Sequence, residues 1–214
     1  LAQKFLFPGF RWFFRKKINR PIEIEETDSE DPKLTWVNLK EAENEGIEFE
    51  VRQYLTPFIV LSANATLIDS TVIDDRFDAP VFSGDRPMQG LSDELYNVQL
   101  VYQDDVFTVS LAYNYFSERL DSIRSADGKN KHAVYEQPFQ SLDFNFKSAL
   151  YTGSGKFDIG FKVKNILNEK AEGLAALLAP STEAQRDSAL ADFRLPYEVY
   201  NVGITYALSL SWKQ

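Results

Sequence analysis

Along most of this chain apolar and polar side chains alternate one by one, the period that sets them on opposite faces of an extended strand. From Tyr200 to Trp212 the even positions are Tyr200, Val202, Ile204, Tyr206, Leu208, Leu210 and Trp212, while the odd ones are Asn201, Gly203, Thr205, Ala207, Ser209 and Ser211. Phe107, Val109, Leu111, Tyr113 and Tyr115 alternate in the same way with Thr108, Ser110, Ala112 and Asn114. The pattern recurs at Ile47–Val51, Tyr96–Tyr102, Leu142–Phe146 and Phe157–Val163. Together these runs predict about eight strands, near 10–26, 34–55, 58–72, 95–104, 106–124, 139–151, 157–171 and 197–213.

The connections alternate in length. Short turns at Thr56-Pro57, Asp104-Asp105 and Thr152-Gly153-Ser154-Gly155 interleave with long segments near 27–33, 73–94, 125–138 and 172–196. That rhythm predicts an all-β, antiparallel, up-and-down segment of a transmembrane β-barrel, with short periplasmic turns, long extracellular loops and a periplasmic C-terminus. A two-residue loop at Asp104-Asp105 would set Tyr102 opposite Phe107, Leu100 opposite Val109, Val98 opposite Leu111 and Tyr96 opposite Tyr113. A four-residue loop at 152–155 would pair Leu150 with Phe157 and Phe146 with Phe161, and would place Asp143 against Lys164 as an ion pair. Thr182 with Gln185 three residues later has the form of a capping box, so a short helix is expected near 183–192.

Two faces follow. Phe10, Trp12, Tyr102, Phe107, Phe157 and Trp212 lie near strand ends and are expected to form an aromatic girdle at the membrane interface. Glu48, Glu50, Arg52, Asp143, Lys147, Lys162 and Lys164 alternate with apolar neighbours and are expected to face a lumen. A Lys or Arg at the lipid midplane costs about 2–4 kcal/mol, and the clear strands keep such residues off their apolar face. A soluble β-barrel binding module and a free-standing eight-stranded outer-membrane barrel of structural or adhesin type remain as alternatives. Folding in water without detergent would favour the first, and a start codon and signal peptide just upstream the second.

Composition alters this picture little. The 214 residues are 44% apolar and 26% charged, with a mean hydropathy of −0.31. No run approaches the about 18 apolar residues of a spanning helix, but a spanning strand needs only about 9–11 residues with every second one apolar. There is no cysteine, which removes disulfides, Cys-based zinc sites and thiol nucleophiles. A net charge of −9 argues against nucleic acid as a partner. The start, Leu-Ala-Gln-Lys, is read as lying inside a longer protein, with signal peptide and any plug domain outside 1–214 and the whole chain belonging to one barrel domain.

Enzymatic chemistry finds few candidates. His132, the one histidine, follows the polar run Gly128-Lys129-Asn130-Lys131 and reads as a solvated loop residue. Asp74, Asp75 and Asp78 could hold a hard cation, but read more simply as an acidic loop. Trp36, Arg76, Phe77, Arg86 and Tyr135 offer stacking or anion-pairing groups that loop packing explains equally well. No phosphate loop, Ser/His/Asp set or His-based metal spacing occurs, and neither an enzyme nor a cofactor is expected.

Several segments also resemble one family. Phe14-Arg15-Lys16-Lys17-Ile18-Asn19-Arg20-Pro21-Ile22-Glu23 resembles a Pro-Ile-Glu strand of TonB-dependent outer-membrane receptors, and Trp36-Val37-Asn38, Ala42 and Gly46-Ile47-Glu48-Phe49-Glu50 resemble the strand after it. Leu95-Tyr96-Asn97-Val98, Ala112-Tyr113-Asn114-Tyr115 and Val163-Lys164-Asn165-Ile166-Leu167-Asn168 resemble its later hairpins. The resemblance covers nearly the whole chain and corresponds to the last third of such a receptor. It implies a 22-stranded barrel in the bacterial outer membrane, closed by an N-terminal plug. Uptake of a siderophore, vitamin, glycan or peptide would be energised indirectly through the TonB complex. Its partners would be outer-membrane lipid, the plug domain and the transported substrate. One departure is the end: family barrels finish on an aromatic residue, whereas Trp212 is followed by Lys213 and Gln214.

Overall fold

The computed structural model describes residues 9–27, 33–73, 86–125, 131–177 and 194–213. They form fourteen strands: β1 (Gly9–Asn19), β2 (Ile22–Thr27), β3 (Lys33–Asn38), β4 (Glu41–Tyr54), β5 (Ile59–Ile73), β6 (Glu94–Gln103), β7 (Phe107–Phe116), β8 (Arg119–Ser125), β9 (Lys131–Glu136), β10 (Phe139–Thr152), β11 (Gly155–Lys164), β12 (Ala171–Leu177), β13 (Arg194–Tyr200) and β14 (Thr205–Lys213). One sheet has eight strands in the order β1-β4-β5-β6-β7-β10-β11-β14, the other six in the order β13-β12-β9-β8-β2-β3. Every pair is antiparallel except β2 with β8, which is parallel.

The count of fourteen against about eight has a simple origin. The chain crosses the large sheet eight times in sequence order, and six crossings are broken once and continue as a strand of the smaller sheet. The breaks fall between β1 and β2, β3 and β4, β7 and β8, β9 and β10, β11 and β12, and β13 and β14. Their local chemistry is consistent. Pro21 and Pro138 have no N–H to give a ladder, and Arg20, Asn165, Asn168 and Gly203 hold positive φ, which turns an extended chain. Neighbouring breaks are tied together: Arg20 N–H donates to Lys40 O at 3.1 Å and Leu39 N–H to Pro21 O at 2.9 Å. The Asn165 side chain donates to Glu169 O (3.0 Å) and Gly203 O (3.2 Å) and accepts from Glu169 N–H (3.0 Å).

Other expectations also shift. The long segments near 125–138 and 172–196 contain β9, β12 and β13, so His132 lies in a strand, opposite Arg124 and Leu177, rather than in a loop. The helix expected near 183–192 and the residues Asp74, Asp75, Asp78, Arg76 and Phe77 lie outside the described residues. At the β6–β7 hairpin the register is displaced by two residues: Tyr102 pairs with Val109, Leu100 with Leu111, Val98 with Tyr113 and Tyr96 with Tyr115. The cause is Asp104, whose Oδ1 accepts from both Val106 N–H and Phe107 N–H at 2.8 Å and so builds a longer loop than Asp-Asp alone. A two-residue displacement preserves the faces. The pairs Leu150 with Phe157 and Phe146 with Phe161 occur as expected.

The parallel pair joins the first and fifth crossings, which run in the same direction. In a flat sheet they would stand about 19 Å apart, four spacings of about 4.8 Å. The β2–β3 hairpin therefore folds over the ends of β5 and β6, and residues 86–93 fill the space beneath it. Here lie the buried apolar side chains: Leu39, Ala42 and Val72 in one cluster and Leu120, Ile123 and Ala133 in another.

Candidate functional site

The eight-stranded sheet has two chemically different faces, fixed by register. On one, Leu61, Leu100, Leu111, Phe144, Val163 and Tyr206 stand side by side on six successive strands. The adjacent row toward the short turns is Ile59, Tyr102, Val109, Phe146, Phe161 and Leu208. Nothing among the described residues covers them: Leu100 and Leu111 are each 41% exposed and Leu208 78%. Toward the opposite end this face changes character at Arg15, Lys17, Glu41, Glu43, Glu45 and Asp69. Arg15 there pairs with Glu43, and Lys17 with Glu41 (3.7 Å) and Glu43 (3.5 Å).

Of the six aromatics expected at the interface, four gather on the apolar face at its turn end. Tyr102 stacks on Phe107 at 5.2 Å between ring centroids and Phe157 meets Trp212 at 6.4 Å. Trp12 stands on the opposite face, opposite Glu48 in register, and Phe10 pairs with Glu50 in the ladder. The run Phe10-Arg11-Trp12-Phe13-Phe14 lacks alternation, so only its pairing with β4 assigns the faces.

By register the face opposite the apolar one carries Glu48, Glu50, Arg52, Asp143, Lys147, Lys162 and Lys164. Glu50, Asn64, Asn97, Asn114 and Ser141 form a row across five strands, with Asn97 Nδ2 donating to Asn64 Oδ1 at 2.7 Å and Asn114 Nδ2 to Ser141 Oγ at 3.3 Å. Arg52 lies one row on, in line with Ser62, Gln99, Ala112 and Asp143. Acid thus gathers at β4 with Glu48 and Glu50, carboxamides in the middle, and lysine at β10 and β11 with Lys147, Lys162 and Lys164. The expected ion pair of Asp143 with Lys164 does not form. Asp143 Oδ1 instead accepts from Asn165 N–H at 2.9 Å, because the chain leaves the ladder there.

The second concentration of chemistry is the seam under the β2–β3 hairpin. Glu23 and Arg86, with side chains 4% and 8% exposed, form a two-pronged ion pair, Nη2 to Oε2 at 2.6 Å and Nη1 to Oε1 at 3.3 Å. Gln89 completes it. Its N–H donates to Glu23 Oε1 (3.0 Å), its Oε1 accepts from Ile24 N–H (3.0 Å) and its Nε2 donates to Asp121 O (2.6 Å). Beside it Val72 N–H donates to Arg86 O (2.8 Å) and Gly90 N–H to Leu120 O (2.7 Å). Asp93, at the edge of this segment, has its carboxyl pushed above the usual range, first by burial and then by the charges of Asp69 and Glu94.

Sequence reasoning missed Glu23 and Gln89. In Ile22-Glu23-Ile24-Glu25 the first glutamate looks like any solvent-facing polar position. Arg86 was a candidate for capturing a ligand, and its carboxylate partner occupies it. Trp36 is exposed, and Tyr135 packs against Leu120, Ile123 and Ala133. Among the described residues no group of three or more His, Cys, Asp or Glu side chains could hold a metal. Comparison with protein-family models finds none that matches the chain, and neither the curated proteins nor the solved structures yield a match.

Proposed function

We propose that this chain forms part of the wall of an outer-membrane transport barrel of the TonB-dependent receptor type, serving energised uptake of a scarce nutrient such as a siderophore, vitamin, glycan or peptide. Outer-membrane lipid lies against the apolar face, the plug domain against the polar face, and the TonB complex acts on the plug. The observation that carries this reading is an apolar face continuous from β5 to β14 with no protein cover among the described residues, Arg11 of β1 standing on the same face beside Phe49. Phe107 to Tyr115 spans eight residue steps, about 26 Å along the strand and about 20 Å once tilted by about 40°, close to the apolar band of such barrels. The rows of Arg15, Lys17 and their glutamates end that band where headgroups begin.

Refolding the full polypeptide into detergent or lipid vesicles tests it, followed by heat-modifiable gel migration and β-sheet circular dichroism beside a detergent-free sample. Folding only with lipid or detergent is the expected result. A soluble, cooperatively folded monomer in water would overturn the reading and turn the apolar face into an interior.

A further inference from the structure

The polar face holds a recess of about 450 Å³ toward its turn end. Its floor is Gly160, where an added Cβ would come within 2.5 Å of Ser209 Oγ. Lys147 stands opposite Gly160 and Asn145 opposite Lys162, so the two lysines are diagonal neighbours on adjacent strands, with about 7–8 Å between their Cα atoms. Thr108 pairs with Lys147 from the other side, and Ser209 and Ser211 line the wall along β14.

Neither lysine has a carboxylate partner among the described residues. Three of the nearby acids have partners of their own. Asp143 accepts from Asn165 N–H, Asp158 pairs with Lys156 at 2.8 Å and Lys213 at 3.8 Å, and Asp104 holds two backbone N–H groups and the Tyr102 hydroxyl. Asp105 also lines the recess. In a chain of net charge −9, Lys147 and Lys162 line this recess without a carboxylate partner among the described residues, with hydroxyl donors around them and Asp104, Asp105 and Asp158 also in its lining. Asn145 Oδ1 in its wall is buried and meets no donor among the described residues. A buried acceptor left so asks for a donor, and the hydroxyl of a singly protonated phosphate supplies one.

We propose that this recess is an oxyanion site. Lys147 and Lys162 hold a small phosphate- or carboxylate-bearing molecule, and Thr108, Ser209 and Ser211 supply further donors. Rings of lysine play the same part in anion-conducting pores. The site depends only on the polar face, so it stands or falls separately from the membrane reading.

The test is labelling of the folded, full polypeptide with an amine-reactive ester, read lysine by lysine by peptide mass spectrometry, with inorganic phosphate as probe and chloride at matched ionic strength as control. Labelling of Lys147 and Lys162 should slow in proportion to occupancy, about tenfold when phosphate stands at about ten times its Kd, while Lys40 and Lys170 are unchanged. In Lys147→Gln the protection of Lys162 should be lost, and in Lys162→Gln that of Lys147. Equal protection by chloride, protection of every lysine alike, or Lys162 still protected in Lys147→Gln would each overturn the site. Protection by a hexaglutamate peptide with none by phosphate would overturn the small ligand.

Discussion

The two sheets are made from the same eight crossings of the chain, yet different forces hold them. At the six-stranded sheet and its seam some apolar side chains are inside, Leu39, Ala42, Val72, Leu120, Ile123, Ala133 and Val134 being buried, while Ile22, Leu34, Trp36, Leu195 and Val199 of the same sheet lie open. Below the level of Ala42 and Val72, no apolar side chain of the eight-stranded sheet is buried among the described residues, and its large residues lie open. Its regularity comes from long antiparallel ladders, up to fourteen residue pairs between β4 and β5, whereas the parallel pair of β2 with β8 has only three. The small sheet thus buries part of itself, in the cluster of Leu120, Ile123 and Ala133 and, through Val37, against Ala42 and Val72 of the large sheet. The large sheet has no such cover on its apolar face among the described residues, and on the proposed reading lipid supplies it.

Breaking the seam should therefore have the largest effect. Arg86→Ala leaves Glu23 buried with Gln89 N–H as its remaining donor, and removal of one partner from a buried ion pair costs about 3–5 kcal/mol. The double variant Glu23→Leu with Arg86→Met replaces the pair by apolar groups of similar size and should recover most of that loss. Urea unfolding of the refolded protein, followed by tryptophan fluorescence, measures both. A loss below about 1 kcal/mol in Arg86→Ala would mean that the hairpin does not depend on the pair.

The difference between the sheets also explains what could be read beforehand. Alternation gave the strands of the large sheet because each residue there answers to only two surroundings, and the faces survived even where the β6–β7 register was off by two. The small sheet is set by contacts far apart in the chain. Glu23 meets Arg86 across 63 positions, and no local pattern marks either. Its breaks use positive φ at Arg20, Asn165 and Asn168, where glycine would have been the signal. β12, Ala-Glu-Gly-Leu-Ala-Ala-Leu, has a composition suited to helix and is a strand because β9 and β13 flank it. The register sets the lysines of the recess on the face opposite the apolar one, but no local pattern tells that Asp143 and Asp158 have other partners.

A smaller effect sharpens the contrast inside the large sheet. Leu111 is on the apolar face in the middle of its strand and Ala112 on the polar face between Gln99 and Asp143. If lipid covers the first, Leu111→Lys costs about 2–4 kcal/mol, while Ala112→Lys, facing polar neighbours, stays within about 0.5 kcal/mol. Both are read from the urea midpoint in the same vesicles. Equal effects would remove the distinction between the faces.

The smallest expected effect lies at the turn that set the β6–β7 register. The Asp104 carboxyl is held below the ordinary carboxylate range by the N–H groups of Phe107 and Val106, and then by the Tyr102 hydroxyl. A carboxyl whose pKa is lower folded than unfolded contributes stability that is fully present above its unfolded pKa of about 3.9 and is lost as pH falls through the folded value. Amide hydrogen exchange at Val106 and Phe107 should accordingly show protection that weakens as pH falls below about 4, after correction for the intrinsic pH dependence of exchange. In Asp104→Asn the oxygen acceptor remains but the charge does not, so protection should be lower at neutral pH and flat across the acid range. A wild-type profile as flat as that of the variant would mean that chain connectivity, and not this carboxylate, fixes the longer loop, and the displaced register would then need another cause.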